Sequence, residues 1–97
     1  MPKPEGPDTP ADGRPRARVV VADDDVLLRE GLASLLTSQG FDVVGQAGDG
    51  PGLLELVRAT APDVVVVDIR MQPGRGNDGL EAARAIRHEH PSVAILV

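Results

Sequence analysis

The chain has 97 residues, a formal net charge of −5, and 41% hydrophobic against 26% charged residues, the balance of one small domain, or part of one, that buries a core in water. It contains no cysteine, which excludes a disulfide framework, a thiolate metal site and a cysteine nucleophile together. Lys3, Arg14, Arg16 and Arg18 against Glu5, Asp8 and Asp12 leave the first 18 residues at +1 and the remainder at −6, and an acidic body argues against direct nucleic-acid binding by this segment.

Residues 1–16 read as a disordered tail. The first fifteen carry five prolines (2, 4, 7, 10 and 15) and two glycines, with only Met1 and Ala11 hydrophobic, too little apolar surface to offset the entropy of ordering. Val19-Val20-Val21-Ala22 is then a short apolar run rich in β-branched residues, cut off by Asp23-Asp24-Asp25, which predicts a buried strand and an acidic loop.

Over residues 26–38, Leu28, Leu32, Leu35 and Leu36 recur at helical spacing as one apolar stripe, and Gly40 supplies the stop. Phe41 to Ala47 predicts a second strand with Val43-Val44 at its centre. Gly48-Asp49-Gly50-Pro51 turns the chain into a second helix, Pro51 lying near its first position and Leu53, Leu56, Val57 and Thr60 on its inward face.

Pro62 closes that helix, and Val64-Val65-Val66-Val67 is the most strand-like run of all, four β-branched residues without polar alternation. Asp68 ends it. A loop with Pro73, Gly74, Gly76 and Asn77 leads to Asp78, whose spacing to Glu81 is that of a capping box with Asp in place of Ser or Thr, so a third helix is expected from Asp78 to about His88. Pro91 separates it from a fourth strand within Val93–Val97.

The order β-α-β-α-β-α-β predicts an α/β fold, a doubly wound parallel sheet with helices on both faces. Phe41 is the only aromatic residue, so the core must be Val, Leu, Ile and Ala, as suits helix-covered parallel strands. No segment approaches the ~18 apolar residues of a membrane span. The N-terminus lacks the apolar stretch of a signal peptide, so a cytoplasmic location and no membrane partner are expected.

Ligands of doubly wound sheets sit beyond the carboxyl ends of the strands, where Asp23, Asp24 and Asp68 all fall. If the first and third strands are neighbours, three mutually repelling carboxylates meet in one pocket. An all-oxygen, highly charged cluster suits a hard divalent cation such as Mg²⁺, and a carboxylate beside it can attack phosphorus to form an acyl phosphate. Asp68 is the better nucleophile because a strand fixes it and a loop exposes it. The blander alternative is a set of solvated loop residues, and Asp25 fits that alternative as the cap of the first helix.

These residues match a known family. Val-Val-Val-Ala-Asp-Asp-Asp (19–25), Leu-Leu-Arg-Glu-Gly-Leu (27–32), Val-Val-Gly-Gln-Ala-Gly-Asp-Gly (43–50) and Pro-Asp-Val-Val-Val-Val-Asp-Ile-Arg-Met (62–71), with Asp24 and Asp68 separated by 44 positions, resemble the bacterial response-regulator receiver domain, most closely its LuxR-type helix-turn-helix subgroup. The resemblance implies a flavodoxin-like receiver fold over residues 17–97, with strand order 2-1-3-4. It implies that Asp68 is the phosphorylation site, that Asp23 and Asp24 hold Mg²⁺ with Asp68, that the backbone carbonyl of Arg70 is a further metal ligand, and that a histidine kinase is the donor. The parent would then be a transcriptional regulator.

Two departures from the family stand out. Gln72 separates Met71 from Pro73 where the family has Pro directly, and the loop to Asp78-Gly79 is longer than the commonest form. The family's switch Ser/Thr and its phosphate-binding Lys follow the fourth and fifth strands, so a chain ending at Val97 is expected to be a receiver truncated at its C-terminus, without the fifth strand, the last two helices or an output domain.

Gly45-Gln46-Ala47-Gly48-Asp49-Gly50 lacks G-x-G-x-x-G spacing and follows the second strand, which disfavours a dinucleotide loop. His88 and His90 suit the surface near a helix C-terminus. Two rival functions remain. One is a receiver-fold interaction module without switching. The other is a small α/β phosphatase or nucleotide-binding enzyme, disfavoured because Arg70 stands where aspartyl-phosphate phosphatases have a second Asp.

Overall fold

The computed structural model describes residues 16–68 and 78–97. The elements are β1 (Arg18–Ala22), α1 (Val26–Ser38), β2 (Asp42–Ala47), α2 (Gly50–Thr60), β3 (Val64–Val67), α3 (Asp78–Glu89) and β4 (Ala94–Leu96). The expected tail (residues 1–16) falls, except for Arg16, outside the described residues, as do residues 69–77, the expected loop, with Arg70 among them.

All strand pairs are parallel, in the order β2-β1-β3-β4. The expected order 2-1-3-4 is therefore what forms. Each β-α-β link crosses over, and the chain reverses its direction of travel across the sheet on passing from β2 to β3, which places the switch point between β1 and β3.

Helix α1 starts where Asp25, in extended conformation with ψ 110°, accepts a hydrogen bond from the Leu28 N–H at 3.1 Å. That bond satisfies one of the orphan donors of the first turn. Gly40 follows with φ 100°, a conformation only glycine adopts without strain.

Helix α2 begins in the same way, Asp49 accepting from the Gly52 N–H at 2.7 Å, with Pro51 in the first turn where its missing N–H costs nothing. Its other end is stopped by Ala61 in the left-handed region, φ 48°. There the Arg18 guanidinium donates from Nη1 to the carbonyls of Thr60 and Ala61, placing a cation on the negative end of the helix dipole.

Strand β2 bulges against β1: Val19 pairs with Val43 but Val20 pairs with Gly45. A Cβ on Gly45 would sit 2.9 Å from Leu56 Cδ2, so the glycine lets α2 lie close to the strand.

The alternation of β1 and β3 sends Val20, Ala22, Val65 and Val67 to one face, where they form a buried cluster with Leu53 and Val57 of α2, Ala82 and Ile86 of α3, and Val93. Helices α2 and α3 thus share a face. Arg58 and Glu89 join them at the rim by a two-pronged pair, Nε to Oε1 at 3.0 Å and Nη2 to Oε2 at 2.9 Å.

The opposite face carries Val19 and Val21, with α1 packed on β1 and β2. Here the leucine stripe of α1 behaves differently from the sequence expectation. Ala33 is the buried residue of the helix, Leu32 and Leu36 are half-buried, and Leu28 and Leu35 are 61% and 56% exposed. The reason is that Val64 and Val66 of β3, in register with Ala94 and Leu96 of β4, extend this face past α1 with no second helix beside it among the described residues.

Helix α3 begins at Asp78 itself, one residue before the start that an Asp78 cap would give, within the ordinary scatter of helix ends. It reaches Glu89, and β4 is the central three residues of the expected strand.

Candidate functional site

Register builds the site. Ala22 of β1 and Val67 of β3 are partners, so the residues that follow each strand emerge side by side. The ladder continues one step further, the Asp68 N–H donating to the Ala22 carbonyl and the Asp23 N–H to the Ala47 carbonyl, both at 3.0 Å. The backbones of Asp23 and Asp68 are therefore held by neighbouring strands although neither residue lies in one.

Asp23, Asp24 and Asp68 each present a carboxylate oxygen such that all three atoms lie within 4.8 Å of one another. Asp23 is buried at 8% exposure, Asp68 is half-buried and Asp24 is exposed. The pocket is thus open on one side and anchored on the other, and its three hard oxygen donors could hold a divalent metal ion. It is the one such group of acidic, histidine or cysteine ligands among the described residues.

The turn that carries Asp23 and Asp24 is tightly tied. Asp23 Oδ1 accepts from the Asp25 N–H at 2.9 Å, an Asx-turn that still leaves a carboxylate acceptor capacity for a cation. Asp25 is turned away to cap α1, as expected.

One residue of this neighbourhood escaped sequence reasoning: Arg29. From the second turn of α1 its Nη1 donates to the Asp23 carbonyl at 2.8 Å and its Nε to Gln46 Oε1 on β2 at 3.1 Å. Its place in Leu-Leu-Arg-Glu-Gly-Leu, one helical turn after the capping Asp25, was the available signal.

A doubly wound parallel α/β domain with a metal-competent carboxylate cluster at its β1/β3 switch point is the class of protein that fold and site define. Residues 19–97 match the response regulator receiver domain family, and the chain belongs to it. Receiver domains are signalling modules of two-component systems rather than enzymes in their own right.

Among curated relatives, the transcriptional regulatory protein PdtaR of Mycobacterium tuberculosis is 43% identical over 81 residues, 84% of this chain and 38% of its own length. Among solved structures, a LuxR-family two-component response regulator from Aurantimonas sp. superposes with a TM-score of 0.74 at 38% identity, covering 82% of this chain and 56% of that one. A CheX–CheY–BeF₃–Mg²⁺ complex from Borrelia burgdorferi aligns with a TM-score of 0.77 at 26% identity over 94% of this chain and 68% of that one. The chain spans well under half the length of the curated relative. No helix among the described residues is long and apolar enough to cross a membrane.

Proposed function

We propose that this chain is a phosphoacceptor of two-component signalling, residues 17–97 forming the receiver unit and Asp68 accepting the phosphoryl group. The observation that carries the reading is the convergence of the Asp23, Asp24 and Asp68 carboxylate oxygens within 4.8 Å at the ends of β1 and β3, in a chain of receiver family. The donor is the phosphohistidine of a histidine kinase, and the parent protein is a cytoplasmic transcriptional regulator, in keeping with the printed names of PdtaR and the LuxR-family structure.

A Asp68 carboxylate oxygen attacks phosphorus, the P–N bond to the donor imidazole breaks, and its electron pair returns to the ring nitrogen. The product is an acyl phosphate on Asp68. Asp23, Asp24, Asp68 and the backbone carbonyl of Arg70 would hold Mg²⁺, a choice supported by the all-oxygen donor set and by the Mg²⁺ named in the Borrelia complex. When bound, Mg²⁺ supplies positive charge that offsets the carboxylates and the phosphoryl oxygens. The backbone bond to the Ala22 carbonyl fixes the main chain of Asp68, while its half-burial leaves the side chain partly accessible to a donor.

The test is to incubate the chain with MgCl₂ and acetyl phosphate and read intact mass. One added phosphoryl group is expected, absent in Asp68→Ala and absent when EDTA replaces the metal. A folded chain that takes up no phosphoryl group would leave a receiver-fold interaction module instead.

A further inference from the structure

We propose that Arg29 is a positioning residue for the cation site, holding the Asp23–Asp24 turn in its ligating shape through a two-point clamp between that turn and β2; the inference rests on the Mg²⁺ reading above.

The clamp joins three elements. Arg29 rides on α1, its Nη1 donates to the Asp23 backbone carbonyl at 2.8 Å, and its Nε donates to the side chain of Gln46 at 3.1 Å. Gln46 is the register partner of Val21, so the guanidinium reaches across the mouth of β1 to the adjacent strand. Space for it is left by Gly48, where a Cβ would come 3.2 Å from Arg29 Nη1. The guanidinium is a rigid planar fork whose donors meet both acceptors at once, which an ammonium cannot reproduce.

The consequence concerns the buried ligand. Asp23 is fixed at its N–H by Ala47, at its carboxylate by the Asp25 N–H, and at its carbonyl by Arg29. The Asx-turn already spans the Asp23–Asp24 peptide, and Arg29 adds a second restraint on the carbonyl of that same peptide from a different element. Arg29 grips the carbonyl of that peptide and so sets where the Asp24 Cα, and its carboxylate, are placed.

The alternative role for a nearby cation is electrostatic, as a counter-charge to the carboxylates, and the two roles differ in sign. Removing a counter-charge raises the affinity of the pocket for Mg²⁺, since the arginine and the ion compete for the same field. Removing a positioning residue lowers it, by about 10-fold at the modest end of what outer-shell partners contribute to metal affinity.

The experiment titrates the chain with MgCl₂ and follows backbone amide NMR shifts in the original protein, Arg29→Met, Arg29→Lys and Gln46→Ala. We expect roughly 10-fold weaker binding in Arg29→Met, a loss in Arg29→Lys despite the retained charge, a smaller loss in Gln46→Ala, and faster hydrogen exchange at Asp24 and Asp25 with β3 amides unchanged. Unchanged or tighter binding by Arg29→Met overturns the inference while leaving the Mg²⁺ site standing. If Arg29→Met loses its native spectrum, the exposed Gln46→Ala variant decides, and unchanged affinity there overturns the clamp. An original protein without Mg²⁺-dependent shifts overturns the metal reading and the clamp with it.

Discussion

The Asp68 N–H donates to the Ala22 carbonyl at 3.0 Å, one rung past the last paired residues of two parallel strands, and this bond sets Asp68 against the turn that carries Asp23 and Asp24. Three carboxylates are brought together by sheet register, which aligns the ends of β1 and β3. Their mutual repulsion is then borne by the sheet, which makes the site a place where stability and function trade against each other.

That trade is measurable at Asp24, the exposed member of the three. Asp24→Asn removes one repelling charge, so the metal-free chain should unfold at the same or a higher temperature than the original protein. With MgCl₂ the order reverses, because an ion that binds only the folded state stabilises it by RT ln(1 + [L]/Kd), about 2.7 kcal/mol at 100 times Kd. Circular dichroism melts with and without MgCl₂ check this. A variant with a Mg²⁺-dependent rise equal to that of the original would remove Asp24 from the ligand set.

The joint between sheet and α2–α3 should be the most sensitive part of the core. Leu53 and Ile86 are fully buried in one cluster with Val65, so Leu53→Ala or Ile86→Ala should each cost about 2–5 kcal/mol. A small domain with about 5–15 kcal/mol in all has little margin for this. Leu27, 83% exposed on α1, is the control, and Leu27→Ala should stay within about 0.5 kcal/mol of the original in urea titrations.

Asp25 separates cap from site. Asp25→Ala removes the acceptor for the Leu28 N–H and should cost about 1 kcal/mol. It keeps the backbone N–H that Asp23 Oδ1 accepts, so the yield of the acetyl phosphate adduct, read by mass on the folded variant, should persist. Loss of the adduct there would give Asp25 a part in the chemistry.

The Arg58–Glu89 pair gives the α2–α3 contact a dependence on acid. Hydrogen bonding to Arg58 holds the Glu89 carboxyl below its usual value, and the same bond holds Arg58 above its own. A carboxyl depressed in the folded state contributes stability that is present above its unfolded pKa, about 4.3 for glutamate, and is lost as pH falls through the lower folded value. Thermal midpoints of the original protein and Glu89→Gln should therefore differ at neutral pH and converge below about pH 4. Because the pair is exposed, 1 M salt should shrink the difference.

Much of this chain is legible from short stretches. Val19–Ala22 and Val64–Val67 announce buried strands because four successive apolar, mostly β-branched residues have no other stable use in a small domain. Asp25 and Asp49 announce helix starts because each carries an acceptor where the first turn has unpaired N–H groups. Asp23, Asp24 and Asp68 declare themselves by standing at strand ends, where a parallel sheet opens to ligands.

The interactions that sequence order hides join residues distant along the chain. Arg18 caps α2 through carbonyls 42 and 43 residues away, and nothing local in Arg18-Val19-Val20 distinguishes that role from an ordinary surface arginine. Arg29 and Gln46 lie 17 residues apart and meet only because α1 crosses β1 on the way to β2. The leucine stripe of α1 reads as a core face, yet how much of it is buried depends on what else lies on that side of the sheet.

The sequence by itself determined which residues are acidic, where each strand stops and which helix turns are capped, since these follow from side-chain chemistry and neighbours a few positions away. The adjacency of β1 and β3 was implied by the family resemblance, whereas tertiary structure alone decided that their registers align Asp23 with Asp68 and that Arg29 reaches the turn after β1. Those outcomes arise from crossovers that pack two helices on one face and one on the other, a requirement of the whole sheet that no single segment encodes.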